Sequence, residues 1–340
     1  MSSPLVHVFE PIEVGPVTLP NRIARAPHHT ALTDEHGFLG EDFIAYHEAR
    51  ARGGVGLSIL EVSGIHPTYR HGINILTDDV IPSYQRFMER LERYDIRIFQ
   101  QLNHAGRCWD GSGDEPTWGP SAVPWGGIHL AAGEGRPAPV AMTRAQIGEI
   151  VAGFAIASRR VADGGLHGVE VQCGHGYLIN QFLSPLSNVR EDEYGGSFEG
   201  RLRLAREVLT AIRHEVGSSI AVGVRLSCDG DSLPGGLTPG DVIRIAQTLE
   251  AEGLIDFVDV SYGGHSQLSQ TIATMAFSPG NQLALAAPLA RAVAVPAMVT
   301  GRILSLAQAE EIIASGDAQI VSMVRALIAD PELVSKTSAG

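Results

Sequence analysis

Eight times along this chain a short run of β-branched and apolar residues gives way to a longer segment with the 3.6-residue period of an amphipathic helix. That repetition constrains the fold more than any other feature. The strand-like runs are RIARA (22–26), VGLSILEV (55–62), IRIFQQL (96–102), GVEVQ (168–172), AVGVRLS (221–227), FVDVSY (257–262), AMVTG (297–301) and QIVSMVR (319–325). Helical segments separate them. Thr143 and Thr238, the latter with Asp241 three residues on, are good N-caps. Gly53-Gly54, Gly164-Gly165 and Gly253 suit helix ends. Near-continuously apolar strands belong to a parallel sheet covered on both faces, and eight units close such a sheet into a (β/α)8 TIM barrel. A doubly wound open sheet is the alternative, but no GxGxxG follows an early strand.

Before the first strand, VFEPIEVGPVTLPN turns at Gly15-Pro16 and reads as an N-terminal β-hairpin plugging the barrel bottom. A Gly/Pro/Trp-rich stretch at 108–140 reads as a long loop insertion after the third strand, of a size that suits a lid. The expected organisation is one domain over residues 1–340.

Composition narrows the function. The chain has 340 residues, 44% hydrophobic and 19% charged, with a net charge of −13. No lysine- or arginine-rich run is present, which argues against nucleic acid and anionic membrane surfaces as partners. The N-terminus lacks a signal-peptide pattern, and Cys108, Cys173 and Cys228 are too scattered for a zinc site or a disulfide set. A reducing cytoplasm is the expected location.

Barrels of this kind keep their chemistry at the C-terminal ends of the strands. This chain places there Pro27, His28 and His29; Ser63; Gln101, Asn103 and His104; Gln172, His175 and Tyr177; Arg225; His265; Gly301 and Arg302; and Ser322, Met323 and Arg325. Gln101 and Arg225 lie inside apolar strands, where an unpartnered amide or guanidinium costs several kcal/mol, roughly 2–7 for the amide. Together they point to a polar ligand across the barrel mouth. Strands seven and eight end in TGRILS and SMVRALIADP, which supply glycine, backbone N–H groups and two arginines for a phosphate monoester. The histidines have no carboxylate or cysteine in register, so no metal is expected.

Six stretches in order carry a resemblance: LPNRIARAP, QLNHAGR, HGYLINQFLSPLSNVREDEYGGSFEGRLRL (175–204), VRLS, TGRI and SMVRALIADPEL. The chain resembles the Old Yellow Enzyme-like NADH:flavin oxidoreductase family from about residue 9 to 336, nearest its 2,4-dienoyl-CoA reductase and trimethylamine dehydrogenase branch. The resemblance implies an FMN cofactor, with NADH or NADPH as electron donor. It implies that Pro27, His28, Ser63 and Met323 line the flavin and that Gln101 bonds its pyrimidine edge. Arg225 would stand against the ring near N1 and O2, and Gly301, Arg302 and Arg325 would hold the phosphate.

By the same resemblance, Tyr177 matches the family's proton donor, while His175 and His265 match groups that polarise a substrate carbonyl. The implied reaction is reduction of an activated alkene by hydride from flavin N5 and a proton from Tyr177. Two departures matter. Gln172 stands where many members have histidine, leaving His175 as the one ionisable member of that pair. The chain also ends in KTSAG, without the four cysteines that lead larger members into an iron–sulfur and nucleotide-binding half. It is therefore either a barrel-only enzyme or the front domain of a longer protein, with a homo-oligomer or a C-terminal redox domain left open as partner. Oxidation of a small amine by the same flavin is the alternative activity, with Tyr262 the one aromatic placed for binding an ammonium. A flavin-binding barrel without turnover is the second alternative.

Overall fold

In the computed structural model, the described residues are 5–109, 116–125, 137–231, 233–264 and 268–338. The chain begins with an antiparallel hairpin, β1 (Ile12–Val14) and β2 (Val17–Leu19), in which Val14 pairs with Val17 around a Gly15 of φ +56°. Then come β3 (Ile23–Arg25), α1 (Glu41–Arg52), β4 (Leu57–Gly64), α2 (Val80–Leu91) and β5 (Arg97–Asn103). The insertion contributes two short paired strands, β6 (Trp118–Gly119) and β7 (Val140–Ala141). After α3 (Arg144–Asp163) follow β8 (Gly168–Gln172), α4 (Leu178–Leu183), α5 (Phe198–Val216), β9 (Ala221–Ser227), α6 (Pro239–Ala251) and β10 (Phe257–Ser261). The last elements are α7 (Leu268–Thr271), α8 (Leu283–Ala292), β11 (Ala297–Val299), α9 (Leu306–Ala314), β12 (Ile320–Met323), α10 (Arg325–Ala329) and α11 (Leu333–Ser338).

Eight parallel strands close in the order β3-β4-β5-β8-β9-β10-β11-β12 and back to β3. Thr143 and Thr238 both form capping boxes, at the starts of α3 and α6. Three strands end two residues away from where the sequence reading put their C-termini. β4 runs on to Gly64 because its register against β5 slips between Leu60 and Ser63, which places Ser63 within the strand. β11 stops at Val299, since Gly301 takes φ +132° and leaves the ladder. β12 stops at Met323, and Arg325 begins α10.

Side chains fill the barrel in layers, as a two-residue strand period requires. The bottom layer is apolar: Ala24, Leu57, Ile59, Phe99, Ala221, Phe257, Met298 and Ile320, covered from below by Val14, Val17 and Leu19 of the hairpin. Two large rings fit because glycines sit beside them. Phe257 pairs with Gly223 and Phe99 with Gly168, and a Cβ on either glycine would come within 3 Å of a ring atom, at 2.4 and 2.7 Å. Two residues further along the same strands, Gln101 pairs with Glu170 and Arg225 with Asp259, so the middle layer is polar and ionised. The hairpin thus seals one end, and chemistry is confined to the other.

Candidate active site

The cavity at the strands' C-terminal ends has a volume of about 390 Å³. Its wall includes Pro27, His28, Gln101, Gln172, His175, Tyr177, Arg225, Gly301, Arg302, Met323 and Arg325, which residues 27 to 325 of the sequence deliver from six different strand ends. Ser63 is fully buried and lies off this wall; Val62 takes the place beside the cavity. His265 falls outside the described residues.

The loop after β8 answers why a histidine and a tyrosine follow a strand so closely. His175 and Gly176 have φ +60° and +81°, successive left-handed residues that turn the chain sharply. The turn places both rings on the cavity wall. Ser227 Oγ accepts from the His175 backbone N–H at 2.9 Å and fixes the bend. The His175 ring is held from both sides, with Nε2 2.8 Å from Ser261 Oγ and Nδ1 3.3 Å from the Gln172 amide. Burial pushes the Tyr177 phenol up to about 12, so it stays protonated at neutral pH.

His28 is neutral for a different reason. Arg25 Nη2 donates to its Nδ1 at 2.9 Å, which leaves the ring proton on Nε2, 3.1 Å from Tyr46 Oη. Burial, then the Arg25 charge, lowers its pKa to about 3. Arg25 itself is fully buried between the barrel and α1, donating to the Ile59 carbonyl at 2.9 Å. Arg25, Glu170 and Asp259 were not singled out in the sequence. The signal that found Gln101 and Arg225, a polar group inside an apolar strand, applies equally to all three.

The wall carries three arginines and four histidines, and no carboxylate among the described residues. Arg225 Nε and Ser322 Oγ are buried without a hydrogen-bond partner. Gly301 lies where a Cβ would meet Gln282 at 2.8 Å, and Arg302 beside it has φ +54°. Donors at one end, an arginine-flanked glycine turn at the other and an electropositive wall fit an anionic ligand with a ring system and a phosphate, as FMN is. When bound there, Arg302, Arg325 and the Gly301 backbone would hold its phosphate, with Gln101 and Arg225 at the ring.

Comparison with known proteins agrees. Residues 7–340 match the model of the NADH:flavin oxidoreductase / NADH oxidase family. An N,N-dimethylglycine/sarcosine dehydrogenase of Chromohalobacter salexigens is 36% identical over 97% of this chain and 48% of its own length. An NADPH dehydrogenase of Clostridium acetobutylicum is 33% identical over 97% of this chain and 94% of its own. Among solved structures, 2-naphthoyl-CoA reductase in complex with 2-naphthoyl-CoA superposes with a TM-score of 0.88 at 29% identity, covering 98% of this chain and 52% of that one. The chain thus spans about half of the first relative and of the reductase, and nearly all of the second.

The barrel and its site define a flavin-dependent oxidoreductase of the Old Yellow Enzyme type. The chain belongs to the NADH:flavin oxidoreductase / NADH oxidase family, with FMN as cofactor.

Proposed function

We propose that this protein reduces an activated carbon–carbon double bond, an enone or enoyl thioester, with Tyr177 as the proton donor. The observation that carries the reading is a phenol kept protonated by burial on a cavity wall that, among the described residues, carries no carboxylate. FMN, when bound, supplies the hydride. The protein supplies the rest. Tyr177 gives its proton to the α-carbon and is restored from solvent. His175, oriented by Gln172 at Nδ1, turns its Nε2–H from Ser261 to the activating carbonyl, with His265 as the alternative donor. A neutral imidazole is enough for that task, because the carbonyl needs a donor and not a full charge. The reductase neighbour, solved with an aryl-CoA thioester, supports this substrate class.

Flavin-linked oxidation of an N-methyl amine is the second reading, and a specific observation favours it. Tyr69, His71 and Tyr177 line one side of the cavity, and Trp109 stands behind with ring centroids 5.1 Å from Tyr69 and 5.8 Å from His71. Aromatic faces of this kind suit a methylated ammonium. The dehydrogenase relative is named for such substrates.

The two readings separate in one experiment. FMN-loaded protein is photoreduced without oxygen and mixed with an enone or an enoyl thioester; rapid return of the oxidised flavin band is the expected result. No return, together with bleaching of oxidised enzyme by N-methyl amino acids, would replace the first reading by the second. Tyr177→Phe is expected to slow the alkene half-reaction by about 10²–10⁴-fold and to leave flavin reduction by NAD(P)H within about twofold. An equal loss in both half-reactions would remove Tyr177 from the proton-donor role.

The same reading treats residues 1–340 as one FMN-binding unit acting on a small molecule. No helix among the described residues is long and apolar enough to cross a membrane, and Cys108, Cys173 and Cys228 are buried; a cytoplasmic location is part of the same proposal.

A further inference from the structure

The middle layer of the barrel holds Gln101, Glu170, Arg225 and Asp259 at one level, directly beneath the cavity. Both carboxyl side chains are wholly excluded from solvent. Gln101 Nε2 donates to Glu170 Oε1 at 2.6 Å. Arg225 donates from Nη1 to Asp259 Oδ2 at 2.7 Å and from Nη2 to Ser261 Oγ at 3.2 Å. That leaves one oxygen on each acid, Glu170 Oε2 and Asp259 Oδ1, with no donor, and the two carboxyl groups are near enough for each to act on the other's proton affinity.

Two bare anionic oxygens side by side, on side chains wholly excluded from solvent, repel each other at a cost the interior does little to screen. One proton removes both deficits, because it turns one oxygen into a donor for the other. The count of charges agrees. One guanidinium balances one carboxylate, and the second carboxyl has no cation of its own.

We propose that Glu170 and Asp259 share a single proton, carried on Glu170 Oε2, and that Glu170 is the positioning residue that sets which end of the Gln101 amide faces the cofactor. A proton on the other oxygen, Oε1, would donate to Gln101 and turn the amide round, offering its NH2 to the cavity. A proton on Oε2 leaves Oε1 as acceptor, holds Gln101 Nε2 downward and presents Gln101 Oε1 to the ligand. The site then selects a ligand edge bearing an N–H donor, such as a flavin imide. It also leaves the layer neutral, with the Arg225–Asp259 ion pair beside an uncharged acid.

Burial and the Asp259 charge push Glu170 well above the usual carboxylate range. Burial raises Asp259 as well, but it is Asp259 that accepts from Arg225 at 2.7 Å, so the proton settles on Glu170. The charged and titratable groups facing the pair are Arg225 from β9 and Cys173 just past β8, whose thiol burial and Glu170 both push up.

The inference rests on the FMN site and on no particular substrate, so it can fail without touching the alkene reading. The test is infrared difference spectroscopy of the FMN-loaded protein at mildly alkaline pH. A carboxylic-acid C=O stretch that shifts in D2O is expected in the wild type. It should vanish in Glu170→Gln, where the acid is gone. It should vanish in Asp259→Asn too, where Glu170 ionises against Arg225. It should persist in Asp231→Asn, which removes the other buried acid that burial raises. Glu170→Leu, which cannot accept from Gln101, should bind FMN about tenfold more weakly than Glu170→Gln, whose amide reproduces the protonated acid. Absence of the band in the wild type, or its survival in either pair variant, would overturn the proposal. Should Glu170→Gln fail to fold, the wild type and Asp259→Asn decide alone.

Discussion

At His28 the proton's place is set by its neighbours, since a guanidinium can only donate and so leaves Nδ1 bare. His104 is fixed in the same way, accepting from the Gly106 N–H at 3.0 Å while Nε2 faces Thr68 Oγ1 at 2.8 Å. His167 accepts from the Ile98 N–H through Nδ1 at 3.1 Å. Burial lowers their pKa values to about 3, about 3 and about 4. These lie below the value near ~6.5 of an unfolded histidine, so the unfolded chain takes up protons first as the pH falls. Their contribution is complete above the unfolded value and drains away down through the folded ones. The slope for three such groups is roughly 4 kcal/mol per pH unit once well below ~6.5. The urea midpoint should therefore fall between pH 7 and 5, with a shallower dependence in His104→Gln; a flat midpoint would contradict the assignment. In the sequence the donor to His167 was hidden, because Ile98 lies on another strand, whereas Arg25 and Gly106 stand only three and two residues from the rings they bond.

The strands and the hairpin were legible as elements because short β-branched apolar runs and a Gly-Pro turn are local signals. The slip in β4 that draws Ser63 into the strand was not, since it depends on pairing with β5. The ionic layer was half legible: burying Gln101 or Arg225 calls for a partner, but closure of the sheet is what makes Glu170 and Asp259 those partners. The hairpin can be tested at Gly15. A Cβ there would lie 2.4 Å from Asp256 Cγ, in a carboxylate that accepts from Val222 N–H at 2.8 Å and pairs with Arg213 at 2.7 Å. With φ +56° as well, Gly15→Ala should cost roughly 1–3 kcal/mol in chemical denaturation. A loss indistinguishable from zero would mean that the turn relaxes freely.

For the molecule as a whole, charge is distributed against its average. A chain of net −13 lines its cavity with three arginines and, among the described residues, no acid. Arg302→Ala should weaken FMN by about 10–100-fold, the worth of a charge-assisted hydrogen bond, and leave riboflavin affinity nearly unchanged. Equal losses for both would place the phosphate elsewhere. The apolar floor made by Phe99, Phe257 and the hairpin has a kinetic consequence. A vessel closed below has one doorway, so the nicotinamide and the substrate must take turns at it. Turnover should then be ping-pong, with parallel double-reciprocal lines, and an excess of either visitor should bar the other.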